Sequence, residues 1–266
     1  MKTRIISGLC MVPLLIFFYL GGYWVLALCI IVGIIGTREF YNGFRAMDIH
    51  PSDYIAYAML IILYLINITG PGRQELVLGW IVVSVFVCSL LMFSVKKHTP
   101  MDTMATLTGI IYIIFFSYHV VLVDQLDKYS IFKWLILLSA FGSDIFAYFT
   151  GVFLGKHKLC PDLSPKKTIE GLIGGLAGST VLCLIFGAVF AKEYMISCAV
   201  IGLLGAGVSV CGDLTASAYK RKMGIKDYGT LIPGHGGIMD RFDSVLFTAP
   251  FVYYYVVIVM EHFGIK

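Results

Sequence analysis

Long apolar runs constrain this chain more than any other feature of its sequence. Nine of them alternate with short polar segments, at 5–20, 23–41, 54–69, 75–95, 104–123, 131–154, 169–191, 194–216 and 241–262. A helix needs about 20 apolar residues to cross a bilayer core about 30 Å thick, and lipid offers no partner for free backbone polar groups. The pattern therefore predicts an all-α, polytopic integral membrane protein with about nine transmembrane helices.

The composition leaves little room for anything else. Of the 266 residues, 59% are hydrophobic and only 14% are charged, whereas soluble domains carry about 25% charged residues. We expect one integrated membrane domain, with the first five spans in 1–130 and the spans that carry most polar residues in 131–266. The seven cysteines show no CxxC spacing, so they are interpreted as small apolar residues.

The Lys and Arg residues are divided unequally between the two sides of this topology. Of the 20, 15 lie at the N-terminus or in the loops after the second, fourth, sixth and eighth runs, and 5 lie on the other side. By the positive-inside rule the N-terminus is predicted to be cytoplasmic and the C-terminus outside. We therefore expect a multi-pass protein of the cell (inner) membrane whose charged segment 217–240 faces the cytoplasm.

Charged residues inside or beside the sixth and seventh runs are candidates for a site. Asp144 lies in an apolar segment, so it needs either a cation or a structural partner such as a Lys of the next loop. Lys166 and Lys167 precede Thr168 at the start of the seventh run, where the free N–H groups of a helix favour anions. The lysine pair suits a polyphosphate, and the alternative is a cluster that only orients the protein in the membrane. By contrast, Arg38-Glu39 at the end of the second run is interpreted as a pair of interfacial charges.

Small residues recur three and four positions apart in the seventh run. They are Gly171, Gly174, Gly175, Gly178 and Ser179. This spacing predicts close helix packing, and it leaves a dimer seam on the same face open.

The densest charge lies between positions 213 and 243. Asp213, Ser217 and Arg221 are successively four apart, so they share a helical face where the eighth run leaves the membrane. Asp240 and Asp243 share a face at the start of the ninth run. Such hard oxygen ligands suit Mg²⁺, which shares its other positions with water and substrate phosphates. The spacing predicts that two helix ends aim their carboxylates at one place.

The segment between those helix ends suits an anionic ligand. The run PGHGG at 233–237 has almost no side-chain bulk apart from His235, so the backbone at Gly236 and Gly237 can approach a phosphate closely. Four cationic side chains can neutralise the anion: Lys220, Arg221, Lys226 and Arg241. Each alone is as well explained as a solvated loop charge, but the interleaving of acids and bases favours a site.

Several motifs in the second half carry a resemblance to a known family. The strings SAYKR at 217–221, KDYG at 226–229 and IPGHGGIMDRFD at 232–243 resemble the motif of the phosphatidate cytidylyltransferases, or CDP-diacylglycerol synthases. DIFAY at 144–148 and SPKKTIEG at 164–171 are similar to the upstream motif of that family. The chain departs from the family pattern at Val152, Ile169 and Tyr219, and its first five spans match only in hydropathy and position.

The resemblance implies a reaction of CTP with phosphatidic acid that gives CDP-diacylglycerol and pyrophosphate. It implies Mg²⁺ as cofactor, leaves a second, monovalent cation open, and implies a homodimer in the lipid bilayer with no nucleic-acid partner. The implied metal ligands are Asp213 and Asp240, with Asp243 and Asp144 as supports or second-ion ligands. The implied catalytic set is Asp213, Asp240, Lys226, Arg241 and His235. The implied substrate-binding set is Lys166, Lys167, Glu170, Ser217, Lys220, Arg221, Asp227, Gly236 and Gly237.

Other functions use similar ingredients. A CTP-dependent lipid kinase transfers the γ-phosphoryl group instead, and an ion or phosphate transporter would also place acids such as Asp144 and Asp213 inside the membrane. The side predicted to face outward has few polar residues to continue a transport pathway. The spaced aspartates typical of CDP-alcohol phosphotransferases and the GxxxxGK[ST] phosphate loop are absent from the sequence.

The predicted sidedness can be measured by thiol labelling. In a cysteine-free variant, a cysteine placed at Lys226 should be protected from an impermeant thiol reagent in intact cells, and one placed at Lys266 should be labelled. The reverse pattern would invert the topology.

Overall fold

The structure is a computed structural model that describes residues 15–70, 72–231 and 236–264. The chain divides into two compact units, and each is drawn from two separate segments. The first combines Met1–Gln125 with Lys222–Arg241, and the second combines Leu126–Arg221 with Phe242–Lys266. The charged segment that follows the eighth run thus packs with the N-terminal half, a placement that sequence order alone does not indicate.

The first unit is built from apolar helices joined by short polar turns. After a helical stretch at residues 15–20 come α1 (Tyr23–Arg45), α2 (Asp53–Thr69), α3 (Gln74–Leu90) with a 3₁₀ turn (Leu91–Phe93), α4 (Pro100–Gly109), a π-helical segment (Ile110–Phe115) and α5 (Phe116–Asp124). Thr99 and Asp102 form a reciprocal capping box at the start of α4, and Pro100 occupies its first turn. These caps explain why the chain turns there.

The second unit contains the remaining helices and one small sheet. A 3₁₀ turn (Ser130–Phe132) leads into α6 (Lys133–Leu154), followed by β1 (Lys158–Cys160), β2 (Ser164–Thr168), α7 (Ile169–Phe190), a 3₁₀ turn (Lys192–Tyr194) and α8 (Met195–Lys222). The last helix, α9 (Met239–Tyr254), continues as a π-helix (Tyr255–His262). Strands β1 and β2 pair antiparallel, with Lys158 opposite Thr168 and Cys160 opposite Ser164.

The predicted fold class is confirmed. Within the described residues, seven helices are long and apolar enough to cross a membrane, and Asp53–Thr69 is a shorter apolar helix. The predicted run 5–20 lies partly outside the described residues, so the number nine stays a prediction.

One local feature differs from the sequence prediction, because the segment 158–168 forms the β1–β2 hairpin instead of an irregular loop. Helix α8 runs to Lys222, beyond the apolar run that ends at 216, so Asp213, Ser217 and Arg221 lie on one helix as predicted. The residues 216–222 contain no Gly or Pro that would interrupt the helix. The helix ends shortly before Gly224, whose φ of +69° is in the left-handed region typical of helix ends.

Close packing by small residues is confirmed in the second unit. The hydroxyl of Ser179 on α7 donates to the carbonyl of Gly202 on α8 over 2.9 Å. A Cβ at Gly175 would lie 2.9 Å from the carbonyl oxygen of Ser143 on α6. This face of α7 therefore packs within one chain, and a dimer seam stays a prediction.

The packing predicts different effects for two glycines of α8. A Cβ at Gly202 would lie 2.9 Å from Thr180 Cα and 3.0 Å from the Ser179 carbonyl oxygen, whereas one at Gly207 would meet only Leu176 Cδ2 at 3.9 Å. Because the backbone of α7 cannot give way easily, Gly202→Ala should destabilise the protein by roughly 1–3 kcal/mol. Gly207→Ala should leave stability unchanged or raise it, since Ala favours a helix by up to about 1 kcal/mol over Gly. Thermal unfolding in detergent measures both, and equal midpoints for the two variants would contradict this packing.

Candidate functional site

A cavity of about 550 Å³, whose mainly apolar lining also carries charged groups, lies within the second unit between α6, α7, α8 and the β1–β2 hairpin. This volume is in the usual range for small-molecule sites. The cavity is lined by both acidic and basic side chains, and its polar residues are Asp144, Lys158, Ser164, Lys166, Lys167, Thr168 and Asp213. The fold therefore places four residues that the sequence analysis singled out around one cavity: Asp144, Lys166, Lys167 and Asp213.

An ion pair between Lys167 and Asp213 joins the hairpin to α8. The two side chains are 24% and 25% exposed, and the Lys167 Nζ atom itself is buried beside Asp213. The hydroxyl of Ser217 donates to Asp213 Oδ1 over 3.4 Å, a long hydrogen bond that agrees with the predicted shared helical face. The opposite charges of Lys167 and Asp213 thus stabilise each other at the wall of the cavity.

A third carboxylate adds to the acidic side of the second unit. Asp243 on α9 is only 7% exposed, and Asp213, Asp144 and Lys220 lie within electrostatic range of it. One of its oxygens, Oδ1, accepts the N–H of Ser244 over 2.8 Å. Asp243 is therefore a buried acid in the same unit as Asp213 and Asp144, which line the cavity.

Local sequence explains why the lysines lie at the cavity. Thr168 ends β2 and is the N-cap of α7, where its hydroxyl accepts the N–H of Gly171 over 3.1 Å. The close approach of Thr168 to α6 requires Gly151, whose Cβ would lie 3.0 Å from Thr168 Oγ1. Lys166 and Lys167 therefore immediately precede a helix start, as predicted.

Glu170 and Arg221 have well-defined partners in the same unit. Glu170 accepts the backbone N–H groups of Lys156 (3.0 Å) and His157 (3.2 Å), and it lies 2.6 Å from the ring Nδ1 of His157. The Nε–H of Arg221 donates to the carbonyl of Leu163 over 3.3 Å. Both side chains hold the loop and hairpin around the cavity, and their contact with substrate stays a prediction.

In the first unit, two carboxylates organise the segment that leads into α9. Asp240 Oδ2 accepts the N–H groups of Tyr228 (2.8 Å) and Gly237 (3.0 Å). Glu39 on α1 accepts the N–H of Ile238 at Oε1 (3.1 Å) and that of Met239 at Oε2 (2.8 Å). Four backbone donors are thereby satisfied by side chains.

Glu39 is the residue that the sequence interpretation missed. The sequence interpretation of Glu39 as an interfacial charge is wrong, because the side chain is only 8% exposed and its carboxylate accepts two backbone N–H groups. A signal was present, because Glu39 directly precedes the apolar residues Phe40 and Tyr41, and a carboxylate in an apolar run needs partners. The sequence does not indicate that those partners lie about 200 residues further along the chain.

Gly236 and Gly237 lie against these carboxylates. Gly236 has a φ of +85°, and a Cβ there would lie 2.8 Å from Asp240 Oδ2. A Cβ at Gly237 would meet the carboxylate of Glu39. The absence of side chains at Gly236 and Gly237 therefore leaves space for the carboxylates of Asp240 and Glu39. Phosphate binding by these glycines stays a prediction.

The remaining predicted residues are distributed between the two units. His235 lies outside the described residues, so its role stays a prediction. Lys226 and Asp227 are exposed, while Arg241 is half-buried. Of the predicted set, Asp144, Lys166, Lys167, Glu170, Asp213, Ser217, Lys220, Arg221 and Asp243 belong to the second unit, and Lys226, Asp227, Gly236, Gly237, Asp240 and Arg241 belong to the first.

The donor set of the second unit fits Mg²⁺. In the described part of the chain, no three His, Cys, Asp or Glu side chains converge on a single metal position. Mg²⁺ does not require this, since proteins usually bind it through one or two carboxylates and leave its other positions to water and phosphates. Asp213 and Asp144 line one cavity and offer only hard oxygen ligands.

Comparison with known proteins decides the family. The model of the cytidylyltransferase family matches residues 2–259. The chain belongs to the cytidylyltransferase family. The resemblance found in the motifs of the second half therefore extends over the whole membrane region, including the spans that matched only in hydropathy.

Curated relatives agree with this assignment. The phosphatidate cytidylyltransferase of Synechocystis sp. is 35% identical over 270 residues, which cover 91% of each chain. The proteins of the same name from Staphylococcus epidermidis and Staphylococcus aureus are each 33% identical, over 256 and 252 residues, with 93% of this chain and 94% of theirs covered. The similarity thus spans nearly the full length of each relative.

Proposed function

We propose that this membrane protein is a phosphatidate cytidylyltransferase, which forms CDP-diacylglycerol and pyrophosphate from CTP and phosphatidic acid. Its membership of the cytidylyltransferase family and the name shared by its relatives support this function. The observation that carries the proposal is the cavity lined by Lys158, Lys166 and Lys167 together with Asp144 and Asp213. Anionic substrates and hard cations are the ligands that such a cavity suits.

The reaction is an in-line displacement at phosphorus. A phosphate oxygen of phosphatidate forms a bond to the α-phosphorus of CTP, and the bond from that phosphorus to the oxygen bridging to the β-phosphorus breaks. Pyrophosphate leaves with the bonding electrons. Because a phosphate monoester is already anionic at neutral pH, the lipid needs no strong base, and positioning and charge neutralisation supply most of the catalysis.

The lysines of the hairpin are suited to neutralise this charge. Lys167 is held by Asp213, and Lys166 and Lys158 line the same cavity. Thr168 fixes the end of β2 to the start of α7, so the lysine positions are set by a capped helix rather than by a free loop. A phosphate entering the cavity would meet cations that are already in place.

The apolar side of the cavity fits a lipid substrate. Tyr148 and Val152 on α6 also line it, and they are 66% and 61% exposed on the outer surface of the unit. Since α6 is part of a membrane-spanning helix, large exposed apolar side chains there are compatible with lipid. We propose that phosphatidate enters from the bilayer past these residues. Val152 stands where the family often has a basic residue, so this chain has one cation fewer on that wall.

Mg²⁺ would neutralise charge on the CTP phosphates when bound. We propose that Asp213 and Asp144 hold it, with Asp243 as a supporting carboxylate, because these acids share one unit and two of them line the cavity. Asp240 stays a predicted ligand, and a second, monovalent cation also stays a prediction.

We further propose that the site faces the cytoplasm, the source of CTP, with a cytoplasmic N-terminus in the cell (inner) membrane. The unequal division of Lys and Arg between the two sides of the topology supports this orientation. The homodimer implied by the family resemblance stays a prediction.

A single substitution tests the site. Asp213→Asn keeps the size of the side chain but removes its charge, so formation of CDP-diacylglycerol should fall by at least about 100-fold, roughly 2.7 kcal/mol of transition-state stabilisation. The measurement uses purified protein in detergent micelles with phosphatidic acid, CTP and Mg²⁺. Asp240→Asn should show a loss of similar size if that residue is also a ligand.

Asp162→Asn is the matched control. Asp162 lies in the exposed turn between β1 and β2, so its variant should keep wild-type turnover. Near-normal turnover in folded Asp213→Asn would contradict the assignment of the site, and no CDP-diacylglycerol from the wild type would contradict the proposed function itself.

A further inference from the structure

We propose that Glu39 is a positioning residue of this enzyme: its carboxylate holds the segment made of residues 228–231 and 236–239 at the start of α9, and thereby helps to fix Asp240 in the position that the reaction requires. The assignment of a role in turnover rests on the proposed function. The structural part rests only on contacts within the first unit.

Glu39 supplies both of its oxygens to consecutive backbone donors. Ile238 N–H donates to Oε1 over 3.1 Å, and Met239 N–H donates to Oε2 over 2.8 Å. Met239 is the first residue of α9, so these are donors that the helix itself leaves unsatisfied. A side chain from α1 therefore performs the capping that a neighbouring Ser, Thr, Asp or Asn normally provides.

Asp240 completes the same arrangement from inside the segment. One of its oxygens, Oδ2, accepts the N–H groups of Gly237 and Tyr228, which joins Tyr228 to the start of α9. The donors used by Glu39, on Ile238 and Met239, lie between Gly237 and Asp240. If Glu39 releases its two donors, the backbone next to Asp240 loses these two hydrogen bonds to α1. The Asp240 carboxylate then keeps its bonds to Tyr228 and Gly237 on a backbone that is held less firmly.

Two glycines show how closely the segment encloses the Glu39 carboxylate. A Cβ at Gly229 or at Gly237 would meet the carboxyl group of Glu39. Both glycines belong to the motifs that carry the family resemblance. Neither has φ in the left-handed region, so space for Glu39, rather than backbone conformation, accounts for the absence of a side chain at these positions.

Further contacts make α1 a platform for the segment. The ring of Phe40 packs against that of Tyr228, with centroids 5.9 Å apart. A Cβ at Gly43 would lie 3.2 Å from Ile225 Cδ1. Apolar contacts of this kind bring the segment onto α1, but they do not specify the direction of the N–H groups, and the carboxylate does.

Both oxygens of the Glu39 side chain have to accept a hydrogen bond, because each receives one of the two backbone N–H groups. A carboxylate provides two such acceptors. Hydrogen bonds to a charged group contribute about 1.5–3 kcal/mol each. In Glu39→Gln one acceptor oxygen becomes an NH₂ group that faces a backbone N–H, so one bond is lost and a donor is placed against a donor. The shape of the side chain is nevertheless retained, which favours folding of the variant.

The test measures amide hydrogen exchange in folded protein without substrate or Mg²⁺, together with turnover. In Glu39→Gln, peptides that cover 236–240 should exchange at least about 10-fold faster than in the wild type, and kcat should fall by about 10-fold or more. The matched control is Glu75→Gln, in the exposed first turn of α3, which should change neither quantity.

A second pair of variants keeps the test decisive if Glu39→Gln does not fold. Gly237→Ala adds a methyl group against the carboxylate, so it should also speed exchange at 236–240, whereas Gly79→Ala on α3 has open space and should not. In a Glu39→Ala background, Gly237→Ala should cause no further acceleration, because the atoms that it would meet are gone.

Two outcomes would overturn the inference. Exchange at 236–240 that is the same in Glu39→Gln and wild type would show that the carboxylate does not hold the segment. Faster exchange with wild-type kcat would show an anchor that has no part in positioning Asp240. Since exchange is measured without substrates, a failure of the proposed function, seen as a wild type that makes no CDP-diacylglycerol, is distinguishable from both.

Discussion

A charge in the interior of a membrane protein is stable only where the chain itself satisfies it, and this constraint explains the arrangement of the polar residues here. Asp213 is paired with Lys167, and Glu39 accepts two backbone N–H groups. At the end of α5, Asp124 accepts the N–H of Gly22 over 2.6 Å. Each carboxylate joins two segments that are distant in sequence, because a partner in lipid is unavailable. The charges therefore fix the tertiary structure as well as providing candidates for chemistry.

The same constraint gives the two units different parts in the proposed reaction. The second unit holds a cavity with cations on the hairpin and acids on α6 and α8. The first unit holds the residues that bond to Asp240, and Glu39 on α1 anchors Ile238 and Met239 beside it. The N-terminal spans are thus more than a membrane anchor, since one of them carries the acceptor for the start of α9.

Local sequence patterns predicted what depends on local interactions. Apolar runs located the long membrane helices, the spacing of small residues located the contact between α7 and α8, and the four-residue spacing placed Ser217 beside Asp213. The β1–β2 hairpin, the partners of Glu39 and the ion pair of Lys167 were not predictable. Each depends on residues that meet only after the chain has folded, and one sequence contains no periodicity that reports such meetings. Gly237 shows the same limit: its missing side chain predicts access for a ligand, and the sequence does not indicate that Glu39 lies in the adjacent space.

The central claim is that the lipid phosphate attacks the α-phosphorus of CTP, and the fate of the two labelled phosphorus atoms tests it most directly. Purified protein is supplied with phosphatidic acid, Mg²⁺ and CTP labelled at either the α- or the γ-phosphorus, and lipid is separated from water-soluble products. The account predicts that α label enters the lipid and γ label enters pyrophosphate. Label from the γ position in the lipid would contradict it and identify a lipid kinase, and no lipid label from either position would contradict cytidylyl transfer to phosphatidate altogether.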